Sequence, residues 1–241
     1  MKHINLSIIL TLLLVIPFIA CAKDDNNLVD LDESTDNTSN GKYLVVYFSC
    51  TNTTKGIADK IAKILEADEF RIEPADPYTS DDLNYSDNNC RANKEQNDAN
   101  VRPAIVKGVD NIGDYDIIYV GFPIWWGKMP KIMFTFFDTY DLSGKTIIPF
   151  CTSGSSGINT AINEIKSLEP NAEIVNGNRF SGGTTESTIK SWIDRVTTDI
   201  AKVEQENENS KIGYNIRGQV IDKKTTKELI IIKGKKYVNV D

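Results

Sequence analysis

Short apolar runs alternate with amphipathic stretches between residues 42 and 203. The runs are rich in β-branched and aromatic residues, which is typical of buried strands. The stretches between them carry apolar residues at helical spacing, as on one face of an amphipathic helix. The predicted strands are 42–48, 70–73, 115–121, 145–150 and 172–175, and the predicted helices are 56–67, 131–140, 158–168 and 185–203. This alternation predicts a single α/β domain whose parallel sheet has helices on both faces.

A signal segment is predicted at the N-terminus, where the apolar stretch 4–19 is followed by the polar run 23–25. The stretch is interrupted by polar residues and a proline and is short for a membrane span of about 20 apolar residues, so we expect cleavage. Residues 18–21, Phe-Ile-Ala-Cys, resemble a bacterial lipobox. That resemblance implies removal of residues 1–20 and acylation of Cys21, with ordinary secretion or a retained anchor as alternatives. We therefore expect a lipid-anchored protein of the cell envelope, periplasmic or on the outer surface.

Three polar or charged segments surround the α/β domain. Residues 21–41 are rich in Asn, Asp, Ser and Thr and nearly lack large apolar residues, which predicts a disordered tether. Residues 204–211 form a charged linker, and residues 212–241 form a small β-strand tail with predicted strands 214–221, 229–232 and 237–240. The tail carries seven Lys or Arg residues against three acids. Because it is barely long enough for its own core, we expect it to dock on the main domain or on a partner.

The histidine content, the cysteine spacing and the net charge exclude several kinds of functional site. The single histidine, His3, lies in the predicted signal segment, so the processed chain has no Ser-His-Asp or Cys-His system and no histidine-based zinc site. Cys50, Cys90 and Cys151 form no Cys-x-x-Cys pair. One disulfide between two of these three cysteines is the alternative, but their odd number favours free thiols. The net charge of −7 argues against nucleic acid as a partner, because phosphate contacts need clustered Lys and Arg.

Hydroxyl residues follow the first predicted strand, where a helix begins. The segment 49–55, Ser-Cys-Thr-Asn-Thr-Thr-Lys, offers side-chain hydroxyls next to the free backbone N–H groups of a helix N-terminus. It lacks the Gly-Lys-Ser/Thr of a nucleoside-triphosphate loop. It suits a terminal phosphate monoester, and the alternative is a cap cluster that only starts the helix.

This segment and two others together resemble the flavodoxin family. Tyr-Phe-Ser-x-Thr at 47–51 resembles the family's phosphate loop, and it is joined by Gly-Phe-Pro-Ile-Trp-Trp-Gly-Lys-Met-Pro at 121–130 and by Phe-Cys-Thr-Ser-Gly-Ser-Ser-Gly at 150–157. All three follow predicted strands, and ligands of such sheets bind beyond the carboxyl ends of the strands. The resemblance implies a flavodoxin-like three-layer sandwich with a five-stranded doubly wound parallel sheet. It also implies FMN as the cofactor.

The resemblance assigns site residues position by position. The first group would hold the phosphate, and the second group would border the isoalloxazine ring, with one of the two tryptophans at the flavin and the other in the wall. The residues expected to hold the phosphate are Ser49, Thr51, Asn52, Thr53 and Thr54. The residues expected to border the ring are Pro123, Ile124, Trp125, Trp126, Gly127, Thr152, Ser153, Gly154 and Gly157. Asn52 stands where the family usually has glycine. Asparagine tolerates positive φ better than most residues, so we expect FMN binding to be weakened at most.

The resemblance implies redox function without a catalytic side chain, because the cofactor supplies the chemistry. The chain would transfer electrons to a redox partner protein or use a nicotinamide to reduce a quinone-like acceptor. The segment 152–157 has no aromatic residue to cover the outer flavin face. The charged residues of 89–102 either fold over that face or form a solvated helix surface. The alternative is an exported binding module that kept the fold and lost FMN.

Overall fold

The computed structural model describes residues 42–106, 108–214, 220–222, 229–232 and 235–238. Side chains are described within residues 42–202. The predicted signal segment, Cys21 and the tether lie outside the described residues. None of the described helices combines the length and hydropathy that a membrane crossing requires.

A parallel sheet forms the centre of the main domain, with the strand order β2-β1-β3-β4-β5. Its strands are β1 (Tyr43–Tyr47), β2 (Asp68–Arg71), β3 (Ile117–Pro123), β4 (Thr146–Thr152), β5 (Glu173–Ile174) and β6 (Asn178–Phe180). The helices are α1 (Thr53–Leu65), α2 (Arg91–Asn97), α3 (Lys131–Thr139), α4 (Asn159–Leu168) and α5 (Glu186–Lys211), with a 3₁₀ turn at Ile112–Asp114. The predicted flavodoxin-like fold, with its five-stranded parallel sheet, is confirmed.

The fifth position of the sheet is shared by two short strands, not by one strand over 172–175 as predicted. β5 pairs with the start of β4, and β6 pairs in parallel with its end. The gap lies opposite Pro149, which has no N–H to donate. A Cβ at Gly177 would lie 2.2 Å from the carbonyl oxygen of Pro149. The chain therefore passes β4 too closely at this point for any residue but glycine.

Two apolar cores lie on opposite faces of the sheet. Leu44 and Val46 of β1 face one core, and Val45 and Tyr47 face the other, because successive side chains of a strand point to opposite faces. Helices α3 and α4 cover the first core, and α1 and α5 cover the second.

Two helices differ from the sequence-based expectation. Helix α5 continues to Lys211, so residues 204–211, predicted as a linker, are helical. The polar segment 78–103 does contain a short helix, α2, but Asn93, Glu95 and Gln96 on it are buried. The alternative of a solvated helix surface does not hold for these three residues: Asn93 and Gln96 contact the segment 123–130, and Glu95 accepts hydrogen bonds from Tyr78 and Arg91.

The C-terminal residues form a separate antiparallel sheet with the order β10-β9-β7-β8. Its strands are β7 (Ile212–Tyr214), β8 (Val220–Asp222), β9 (Leu229–Ile232) and β10 (Lys235–Val238). The single strand predicted over 214–221 is wrong, because Tyr214 belongs to β7 and 220–221 belong to β8, and these two strands pair antiparallel.

Candidate functional site

Three loops meet at the carboxyl ends of β1, β3 and β4. We call them the first loop (residues 49–54), the second loop (123–130) and the third loop (152–157). The N–H of Ile124 donates to the carbonyl oxygen of Thr152 at 3.0 Å. The hydroxyls of Thr54 and Thr152 are 2.8 Å apart and buried. The structure thus brings the three segments together at one edge of the sheet, as predicted.

The first loop presents hydrogen-bond donors without protein acceptors. Asn52 has φ 62° and ψ 5°, the left-handed conformation, and its side chain makes no capping bond. Helix α1 starts immediately after it, and the backbone N–H groups of Thr53, Thr54 and Lys55 find no acceptor in the described part of the chain. Because such groups attract anions and the neighbouring hydroxyls add further donors, this loop can hold a phosphate group.

A fourth segment, absent from the sequence-based prediction, completes this rim. A Cβ on Gly182 would lie 3.0 Å from Cγ2 of Thr53, so the chain after β6 packs against the first loop. Nζ of Lys60 donates to the carbonyl oxygen of Thr184 at 2.8 Å. Arg179 of β6 donates to the carbonyl oxygen of Ser153 at 3.0 Å and so holds the third loop. These residues were missed because β6 itself was not predicted.

The second loop makes a tight hairpin turn at Trp126 and Gly127. Trp125 and Lys128 exchange two backbone hydrogen bonds of 3.0 Å. Trp126 and Gly127 both have positive φ, 46° and 78°, as a two-residue type I′ turn requires. A bulky residue rarely adopts this conformation, so surrounding contacts must hold Trp126 in place.

Those contacts come from two helices that flank the second loop. Nε2 of Gln96 donates to the carbonyl oxygens of Trp125 and Met129, at 2.9 and 3.2 Å. With its amide oxygen turned toward the indole, Asn93 accepts from Nε1 of Trp126 at 3.1 Å. Glu164 of α4 accepts from the N–H of Met129 at 3.2 Å. No pattern in the sequence marked Asn93, Gln96 or Glu164 as supports of this loop.

The two tryptophans point to different surroundings. Trp125 is buried and makes edge-to-face contacts with Phe48 and Tyr78, at centroid distances of 5.5 and 5.2 Å. Trp126 is half-buried and stacks on Tyr85. Trp125 therefore belongs to the wall, and Trp126 presents the ring on which a flat ligand could stack.

A cavity of about 160 Å³ lies between the first and second loops. Six of its lining residues were predicted site residues, and Cys50, Leu83 and Tyr85 are additions. The predicted residues in the lining are Ser49, Thr51, Thr54, Pro123, Trp125 and Trp126. Ile124 does not line the cavity, because its side chain packs in the core. A Cβ at Gly154 or Gly157 would meet no protein atom, so the protein itself does not require glycine there.

A second cavity of about 270 Å³ adjoins the first across residues 49–50. Cys50 borders both cavities. Burial raises the pKa of the Cys50 thiol to about 11 and outweighs the nearby Arg71 and Arg91. The thiol is therefore protonated at neutral pH and is a poor nucleophile. Cys50, Cys90 and Cys151 are all free thiols.

Three charged side chains in or near α2, Arg91, Glu95 and Arg102, are paired within the protein. Arg91 contacts Glu95 at 2.8 Å and Asp76 at 3.0 Å, and it lies over the ring of Tyr78. The Tyr78 hydroxyl donates to Glu95 at 2.6 Å. Arg102 is similarly paired, with Asp138. Arg91 and Arg102 thus stabilise this segment, and neither lines the first cavity.

Within the described residues, no group of His, Cys, Asp and Glu side chains has the arrangement of a metal site. The site instead offers hydroxyls, backbone N–H groups and aromatic rings. This donor set suits a phosphorylated ligand with a flat ring.

Comparison with known proteins identifies related sequences and structures. A family model described as Flavodoxin matches residues 42–196. A candidate flavoprotein from Bacteroides eggerthii is 40% identical, with 65% of this chain and 98% of that chain covered and a TM-score of 0.62. A candidate flavoprotein from Bacteroides uniformis is also 40% identical, with 64% and 98% covered and a TM-score of 0.62. No curated protein matches the sequence.

Proposed function

The chain belongs to the flavodoxin family, and from that premise we propose that it is a redox protein that uses FMN. FMN is the cofactor, and the first and second loops form its site. One observation carries this proposal: Ser49, Thr51 and Thr54, from the loop whose N–H groups are free at the start of α1, line one cavity together with Trp126.

The residues of the site suit the two ends of the cofactor. Asn52 turns the first loop so that the N–H groups of Thr53 and Thr54 stay free for a phosphate. Ser49 and Thr51 place hydroxyls in the lining of the same cavity. Trp126 offers a half-buried aromatic face, and stacking on such a face is worth about 0.5–1.5 kcal/mol beyond burial. The donors and the Trp126 ring lie on rigid supports, so binding requires little further ordering of these groups.

We propose that the reaction is two-electron reduction of a flat, quinone-like acceptor, with a nicotinamide as the donor. When bound, FMN supplies the electron transfer. The third loop carries no aromatic side chain that could cover the ring, and a Cβ built at Gly154 or Gly157 would have no protein atom within 4 Å. This openness supports exchange with a stacked small molecule. One-electron transfer to a partner protein is the competing outcome of the test.

An absorbance spectrum of the purified protein with added FMN is the primary test. We expect a bound-flavin spectrum and quenching of FMN fluorescence, followed by oxidation of NADH or NADPH in the presence of a benzoquinone. Dithionite titration then separates the two redox functions, since the carrier takes up electrons singly. A colourless protein that leaves FMN fluorescence unchanged would instead identify a non-redox binding module.

We also propose that the chain is exported and anchored in the cell envelope through a lipid on Cys21. The support is the apolar stretch 4–19, followed by a cysteine and a polar tether. Mass spectrometry of the protein from the membrane fraction should find an acylated Cys21 at the mature N-terminus, and Cys21→Ala should abolish the modification. An unmodified cysteine, or an intact residue 1, would contradict the proposal.

A further inference from the structure

Tyr85 stacks on one aromatic face of Trp126 in this structure. The two rings are parallel within 5°, with centroids 4.2 Å apart. The backbone N–H of Trp126 also donates to the Tyr85 hydroxyl at 2.5 Å. Tyr85 therefore offers the second loop a flat ring with an oxygen acceptor at its edge. The ring of a flavin, with its carbonyl oxygens, offers the same combination.

The space in the cavity does not allow both rings to use that face. Stacked rings 4.2 Å apart leave no room for a third ring between them. The cavity that Tyr85 helps to close measures about 160 Å³, whereas sites for drug-sized ligands measure about 300–1,000 Å³. A flavin ring can stack on this face of Trp126 only after one of the two aromatic side chains has moved.

Trp126 is the ring that stays in place. Its indole N–H is bonded to Asn93, and its turn is closed by the two bonds between Trp125 and Lys128. Gln96 fixes the same loop with two further bonds. Moving the Trp126 ring would break its bond to Asn93, within a loop whose backbone the other four bonds hold.

Tyr85 is held far more loosely. Its side chain is 58% exposed, the largest value for a big apolar residue in the described part of the chain. It lies in the run of turns before α2, within neither helix nor strand. The structure gives its side chain the one hydrogen bond and the one ring contact described above. A rotation about χ1 is enough to move it, and such rotations of exposed side chains take picoseconds to nanoseconds.

We propose that Tyr85 is a gating residue of the FMN site: in the FMN-free protein it occupies the Trp126 face, and it must leave before the flavin ring can enter. This inference rests on the proposed function, since it concerns entry of that cofactor. It assigns a role to the segment before α2. FMN and the Tyr85 ring compete for the same indole face and for the same backbone N–H.

Stopped-flow mixing of FMN with FMN-free protein tests the gate through the association rate constant. Removal of the competing ring in Tyr85→Ala should raise that rate constant about threefold to tenfold, the equivalent of one stacking contact. Tyr85→Phe keeps the ring and loses the acceptor oxygen, so its rate should fall between those of wild type and Tyr85→Ala. Val106→Ala is the matched control, because Val106 is also strongly exposed but does not line the cavity.

Tryptophan fluorescence of the FMN-free proteins gives a second readout, independent of binding. Tyr85→Ala should change the emission of Trp126, and Val106→Ala should not. An association rate constant for Tyr85→Ala equal to or below that of wild type overturns the gate, and a slower rate would instead show that Tyr85 supports the bound ring. If no variant binds FMN, the proposed function fails and the gate fails with it.

Discussion

The hydroxyl of Thr54 lies 2.8 Å from the hydroxyl of Thr152, although 98 residues separate the two in sequence. Thr54 is in the first turn of α1, and Thr152 ends β4. Both side chains are buried. This hydrogen bond connects the first loop, at the phosphate end of the site, to the third loop. The distance between these two loops therefore depends on a residue pair that no local sequence pattern could reveal.

Removing both hydroxyls of this pair should cost less than the sum of the two single removals. We expect Thr54→Val or Thr152→Val alone to lower the free energy of unfolding by about 1–3 kcal/mol, because the remaining hydroxyl is buried without its partner. The double variant should lose less than the sum of the two single losses. Urea unfolding of the four proteins measures the coupling, and strictly additive losses would show that the bond contributes nothing.

Asn52 should be replaceable by glycine but not by alanine. Its φ of 62° costs an alanine about 1–2 kcal/mol, whereas glycine has no such penalty. We expect Asn52→Ala to lower both the free energy of unfolding and the FMN affinity, and Asn52→Gly to preserve both. Glu66→Gly is a control at the other end of α1, where φ is 51°: it should stabilise the protein without changing FMN affinity. Equal affinities for Asn52→Ala and Asn52→Gly would refute the prediction.

Substitutions of the two adjacent tryptophans should affect different properties: Trp125 mainly the stability, and Trp126 mainly FMN binding. Trp125→Ala removes a buried ring and should lower the free energy of unfolding by about 3–5 kcal/mol. Trp126→Ala should cost less stability and weaken FMN binding, while Trp126→Phe should restore part of the affinity through its ring. Fluorescence titration with FMN, alongside urea unfolding, checks the assignment. It is wrong if Trp126→Ala binds FMN as wild type does.

Gln96 should affect the stability and the FMN affinity although it does not line the cavity. Gln96→Leu leaves the carbonyl oxygens of Trp125 and Met129 without this donor, so we expect a loss of about 1–3 kcal/mol in unfolding free energy. FMN affinity should fall as well, because the turn at Trp126 loses its support. Lys94→Ala, on the exposed side of the same helix, is the control and should change neither quantity. Unchanged FMN affinity in a folded Gln96→Leu protein would show that the turn holds its shape unaided.

Glu169 should make the stability depend on pH. Burial, with smaller contributions from Asp141 and Asp138, raises the pKa of this carboxyl to about 7, above the value of about 4.3 for an exposed glutamate. The folded protein therefore favours the protonated acid, so stability is complete below about pH 4.3 and falls until the pH passes the folded pKa.

Glu169→Gln should remove this decline. We expect the variant to gain about 1–3 kcal/mol over wild type at pH 8 and nothing at pH 4, measured by urea unfolding across the range. The exposed Glu173→Gln should follow the wild-type profile. A gain for Glu169→Gln that is the same at both pH values would assign the effect to packing.

The sequence by itself determined the fold and the edge of the sheet at which the three loops meet. Strand-like runs and helical stripes are local periodicities, and parallel strands bring their carboxyl ends to one edge, so residues 49–54, 123–130 and 152–157 had to lie near each other. The backbone conformation of Asn52 could also be predicted from the sequence, because it depends on a turn of only a few residues. The prediction that one tryptophan of the pair lies in the wall followed from their adjacency alone.

Only the tertiary structure decided which tryptophan that is and what surrounds the other one. Tyr85, Asn93 and Gln96 reach the second loop from a segment about 30 to 40 residues earlier, and Arg179 reaches the third loop from a strand that the sequence did not reveal. Each is a polar or exposed residue in a turn or a short element, where periodicity carries no signal. Their partners are chosen by packing between distant segments, and packing is a property of the folded chain.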